Sequence, residues 1–196
     1  MKFGRKHWRS LLISAIVVSG AFTVQDIRPK FFILCFAIVL VSYLLHELLH
    51  MKVADAEGLH LSCDLSGAGL LTTIISGVVS GGLAVIAIPL ETKVKEFGSE
   101  RWMKESKELD DRDVGLISIV GPLLNLVLGT LFLGLFSFYG MDFLWLVSLI
   151  NFWMGVSNFI PIHPFDGGNI VAWSGWLWFT GIMVGATGLG SLFLLM

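Results

Sequence analysis

Residues 31–51 read FFILCFAIVLVSYLLHELLHM, and the fifteen residues before His46 carry no charge. A bilayer core about 30 Å thick accepts helices of roughly 20 such residues. The rest of the chain repeats the pattern. Over 196 residues, hydrophobic types make up 55% and charged types only 14%, against roughly a quarter charged in an ordinary soluble domain. Mean hydropathy is +0.82. From Val114 to Met196 there is no Lys, Arg or Glu, and the acids are Asp142 and Asp166. A soluble fold could not hydrate such a stretch. A net charge of -2, with no basic run beyond the first nine residues, leaves no footprint for nucleic acid. Cys35 and Cys63 are too few for a disulfide scaffold. The expectation is an all-α polytopic membrane protein forming a single membrane-embedded domain.

Candidate membrane segments fall at about 11–27, 31–51, 68–90, 114–138, 143–160 and 170–196, giving five to six transmembrane helices. The first is short. With Lys2, Arg5, Lys6 and Arg9 before it and Ser19-Gly20-Ala21 within it, it also fits a signal peptide; we read it as a helix lengthened by its flanks. Basic residues near span ends favour the cytoplasm, which puts the N-terminus, Lys52 and the charged stretch 91–113 inside. If Lys52 and Glu91 share one side, the apolar segment between them cannot cross once. Residues 68–90 are therefore expected to be re-entrant, turning at Ser76-Gly77 or Ser80-Gly81-Gly82.

His46-Glu47-Leu48-Leu49-His50 closes the quoted helix. Positions i and i+4 share a helical face, so both imidazoles can reach one ion with Glu47 beside them. Zinc accepts such ligands tetrahedrally and leaves a position for water. A carboxylate placed like Glu47 can then take the water's proton during attack on a carbonyl. The plainer reading, a chance occurrence, must account for two histidines and a glutamate inside an apolar helix. Burial of that kind costs several kcal/mol without pairing or a cation, and Lys52 could pair with Glu47 but not with both histidines. We expect one zinc per chain, although nitrogen and oxygen ligands do not exclude another divalent metal.

A catalytic zinc usually has a third protein ligand. Beyond Asp113 the candidates are Asp142, His163 and Asp166. Asp142 follows the turn on the outer side, a membrane thickness from His50. Asp166 follows the 143–160 helix on the inner side and is the expected ligand, with His163 next in line. Gly167-Gly168 behind it is expected to allow unusual backbone angles that aim the carboxylate.

HELLH at 46–50, Gly121-Pro122-Leu123-Leu124-Asn125, and the run from Asn158 through Pro161, Pro164 and Asp166-Gly167-Gly168 together resemble the site-2 proteases, zinc metalloproteases that cut peptide bonds inside the membrane. The resemblance extends from about residue 31 to 168. It implies that His46, His50 and Asp166 are zinc ligands and Glu47 the general base. It also implies that Asn158 holds the substrate backbone or the developing oxyanion, and it places Asn125 among the residues that position substrate. Residues 57–69 resemble that family's small β-loop beside the active site, which would make Ser62 and Cys63 substrate-positioning residues on an edge strand that holds an unwound substrate extended. Phe165 stands where Leu is common, and no PDZ-like or CBS-like domain is recognisable, so a compact form is expected.

The implied activity is a zinc-dependent intramembrane endopeptidase. Its partners would be a transmembrane protein substrate and the lipid bilayer of the cell membrane, with the active-site side cytoplasmic. The main alternative is a membrane zinc transporter. That reading is opposed by Leu49, where a transporter HExPH-like motif has Pro, and by the lack of a second His-Asn-x-x-Asp-type helix. A water-facing membrane zinc protease would need a downstream Glu ligand, and an inactive relative has no use for Glu47.

Overall fold

A computed structural model of the chain describes residues 4–95, 110–162 and 165–195. Its elements in order are α1 (Arg5–Phe22), α2 (Pro29–Ala56), β1 (His60–Leu65), α3 (Gly67–Ser80), β2 (Leu90–Lys95), α4 (Asp111–Tyr139), α5 (Asp142–Asn158), α6 (Asp166–Trp173) and α7 (Gly175–Leu194). His163 and most of the charged stretch, residues 96–109, lie outside the described residues. Among the described helices, α2, α4 and α7 are long and apolar enough to cross a membrane. The outward-facing surface is apolar too: Ile33, Val79 and Trp176 are 64%, 82% and 76% exposed, which is compatible with a bilayer around the molecule.

α4 is the central element, packed on α2, α5, α6 and α7, while α1 covers α2 and α3. Pro29 opens α2 at a position where its missing N–H costs no helical bond. Pro122 lies inside α4 and removes one interior bond there. On α7, Gly181, Gly185 and Gly188 take the side chains of Phe159, just beyond α5, and of Val156 and Phe152 within it, at distances that leave no room for a methyl. Small residues at that spacing let two helices approach closely where water cannot drive association.

Residues 66–89 leave and return at one place. The 14-residue α3 rises about 21 Å, and the chain then reverses at Gly81 and Gly82, both with positive φ. It comes back through residues 83–89 to β2, which pairs antiparallel with β1 from Leu65↔Leu90 to His60↔Lys95. Ser66 N–H donates to the Pro89 carbonyl at 2.9 Å, closing the base of the excursion.

Two expectations need correction. The segment 170–196 is two helices, because Ser174 takes an extended conformation (φ -154°) and caps α7 through its side chain. Gly167 and Gly168 do not have positive φ. Gly167 instead presses against the Phe159–Ile160 backbone, where a Cβ would collide with both carbonyl oxygens. Its role is close approach, and that approach brings the start of α6 under the end of α5.

Candidate metal centre

His46 and His50 lie on the face of α2 turned toward α4 and α6, both with at most 3% exposure. Their Nε2 atoms are 2.9 Å apart. Asp166, first residue of α6, brings Oδ2 to 3.4 Å from His50 Nε2 and 3.7 Å from His46 Nε2. Asp142 begins α5 and Asn158 ends it, so Asp142 is about 24 Å along that helix from the end beside Asp166.

The opposite nitrogens decide whether a cation fits. His46 Nδ1 lies 2.5 Å from Asn125 Oδ1, and His50 Nδ1 lies 2.5 Å from the Ile117 carbonyl. Both partners only accept, so each Nδ1 carries the proton and donates it. In the neutral ring each Nε2 then presents a lone pair. Two lone pairs and a carboxylate facing one another within hydrogen-bond range repel unless a cation lies between them. A tetrahedral zinc with Zn–N near 2.0–2.1 Å separates its ligand atoms by about 3.3 Å, close to the three spacings seen here. The residues present fit such an ion.

The outer partners come from elements far apart in sequence. Asn125 donates through Nδ2 to Asn151 Oδ1 at 3.0 Å, and Asn151 donates to the Val147 carbonyl at 2.9 Å. These bonds fix the orientation of the Asn125 amide, with its oxygen toward His46. Asn125, expected from the resemblance to position substrate, makes its side-chain contacts here with His46 and Asn151. Gly121 completes the arrangement, since a Cβ there would collide with the Nε2 atoms of both histidines. α6 is held on α4 by Asn169, which donates to Ser118 Oγ at 2.9 Å, and by Trp173 packed over Gly115.

Glu47 is one residue, and so about 100° of helical rotation, from His46. It shares with His46, Asn158 and Asp166 a cavity of about 10 Å³, bounded also by Tyr43 and Ile88. That is the smallest space that holds one water. The returning segment 83–89 makes one wall. It is clamped at Ala87, whose N–H donates to Ser157 Oγ at 3.1 Å and whose carbonyl accepts from the Tyr43 hydroxyl at 3.2 Å. Asn158 donates to the Met154 carbonyl of its own helix at 2.9 Å. On β1, adjacent residues point to opposite faces; Cys63 turns inward to Glu47 and His7, and Ser62 turns away from them.

Sequence reasoning missed Asn151, Ile117, Tyr43 and Ser157. Asn151 left a signal, as one of two amides, with Asn158, in the apolar 143–160 segment. Tyr43 left another, three and four residues before His46 and Glu47 on one face of α2. The Ile117 contribution is a backbone carbonyl and leaves none.

Two relatives share sequence with the chain, both from Methanocaldococcus jannaschii. One, "Putative zinc metalloprotease MJ0611", is 27% identical over 186 residues, 90% of this chain and 89% of that protein. The other, "Zinc metalloprotease MJ0392", is 30% identical over 146 residues, 72% of this chain but 34% of that protein's length. No family model matches the chain, and no solved structure matches it significantly.

Proposed function

We propose that the chain is a zinc-dependent metalloprotease that acts as an intramembrane endopeptidase of the site-2 type. The observation that carries this reading is the cluster of His46, His50 and Asp166, with Glu47 and Asn158 on the wall of the same cavity, at the ends of apolar helices. The two relatives named zinc metalloproteases support the protease class. The apolar surface supports action in a membrane.

Zinc, when bound by His46, His50 and Asp166, polarises a carbonyl and lowers the pKa of water toward 7. Glu47 accepts the proton of the attacking water and passes it to the leaving amine, a transfer of roughly 10²–10⁴ in rate. Asn158 uses one amide hydrogen on Met154 and offers the other toward the oxygen on which negative charge develops. β1 offers backbone groups to an unwound substrate segment, because a helical peptide bond must be freed of its own hydrogen bonds before attack. The excursion 66–89 is re-entrant in this reading, so the N-terminus and the active site share the cytoplasmic side.

Glu47→Gln keeps the side chain's shape and cannot accept a proton. The purified variant is expected to hold close to one zinc and to bind a transmembrane substrate, with cleavage reduced at least about a hundredfold. Asp166→Ala is expected to lose the metal, while Asp142→Ala keeps it. Zinc flux into proteoliposomes by a wild type that cuts nothing would replace this reading with a transporter.

A further inference from the structure

A second group of metal-ligand side chains lies on the other side of Glu47. His7 of α1, Glu47 of α2 and Cys63 of β1 each present a ligand atom, and these atoms all lie within 4.8 Å of one another. His7 Nε2 is 4.0 Å from Glu47 Oε2, with the two side chains 10% and 3% exposed; Cys63 is 4% exposed. Three elements that are remote in sequence converge here. The residues next in sequence brace the meeting point: Lys6 Nζ and Asp64 Oδ1 form an ion pair at 2.6 Å, fastening the first turn of α1 to β1.

The donor set has a definite chemistry. An imidazole, a carboxylate and a thiolate are the ligand types that zinc accepts at tetrahedral distances, and the sulfur disfavours magnesium, calcium and manganese. The charges also balance: one thiolate and one carboxylate neutralise a divalent ion, and imidazole adds none. A neutral complex suits a site with so little exposure to water. The His46, His50 and Asp166 set contains no sulfur, so the two sites differ in kind.

We propose that His7, Glu47 and Cys63 form a second site for a thiophilic divalent cation, zinc in the first instance, whose occupation withdraws Glu47 from the hydrolytic cavity and so shuts the protease down at excess metal. The regulatory half of this rests on the protease reading; the metal site itself does not. Glu47 belongs to both sites because it borders the cavity on one side and faces His7 and Cys63 on the other. A carboxylate engaged by a cation is a poor proton acceptor. Binding at the second site therefore competes with the proton transfers that need Glu47.

Cobalt(II) is the probe, added stepwise to the metal-free full chain in detergent micelles. Two equivalents are expected to bind, and the second should bring the near-ultraviolet thiolate-to-cobalt charge-transfer absorption that the first cannot produce. Cys63→Ser should lose that absorption and His7→Gln should lose the second equivalent. Both should keep the first equivalent with its visible spectrum, which reports an intact fold. In parallel, wild-type cleavage of a transmembrane substrate should fall as the second equivalent of zinc is added, and His7→Gln should no longer respond to it. A single equivalent without thiolate absorption in the wild type overturns the site, as does absorption that survives Cys63→Ser. A wild type with the thiolate absorption but no cleavage at any zinc level would sink the protease reading and leave the second site standing.

Discussion

The two halves of α2 lie on one continuous helix and make opposite demands on their surroundings. In the first half, Cys35, Ile38 and Val39 are buried among apolar side chains, while Ile33 and Val41 face outward with 64% and 56% exposure. Nothing there needs a directional partner. In the second half, Tyr43, His46, Glu47 and His50 are buried. Tyr43 and the two histidines are served by the 83–89 segment, α4 and α6. An apolar interior requires shape, and many side chains supply it. A buried polar group requires a particular atom at a particular place, and its absence costs the full desolvation of what remains. The polar half is therefore the part of the molecule that a single distant change can disable.

Substitutions outside α2 test this division. The largest effect is expected from Gly121→Val on α4. Its side chain would occupy the space in which the two Nε2 atoms face each other, so metal binding should be abolished in a helix bundle that still forms. Elemental analysis of the purified variant checks this, and retention of one zinc would show that the histidines have room the structure does not provide.

Asn125→Leu comes next. It removes the acceptor that orients His46 and holds its tautomer, a kind of change that typically lowers metal affinity about 10–100-fold. Competition with a chelator of known affinity measures it. Asn151→Leu leaves Asn125 in place and removes only the bond that fixes its amide, so its effect should have the same sign and be smaller. An Asn151 variant weaker than the Asn125 variant would reverse the order of dependence.

The smallest effect belongs to the apolar half. Ile38→Val deletes one methylene from a packed interior and should cost about 1 kcal/mol, seen as a lower thermal midpoint in detergent with metal affinity unchanged. If Ile38→Val weakens metal binding as much as Asn125→Leu does, the two halves of α2 are not separable in this way.

The pairing of His46 with His50 was legible because it is local: four residues along an α-helix return to the same face whatever surrounds it. The apolar segments were legible for a similar reason, since the bilayer constrains each by its own length and composition. Asp166 was reachable from the sequence because so few carboxylates follow residue 113, and its neighbour His163 falls outside the described residues. The break at Ser174 was not legible, because residues 170–196 are apolar on both sides of it and apolar composition does not distinguish one helix from two.

What only the tertiary structure decided are the contacts across long separations. His46 meets Asn125 79 positions on, and His50 meets the Ile117 carbonyl 67 positions on. Ala87 is clamped by Ser157 70 positions on. Such contacts depend on how far each helix is rotated about its own axis when α4 packs on α2 and α5, and no periodicity within one helix encodes that angle. Glu47 shows the same limit. Its sequence position beside His46 determined that a carboxylate would be near the two histidines. Only the packing of α1 and β1 against α2 decided that its other side would meet His7 and Cys63, because the groups that meet there sit on three separately placed elements.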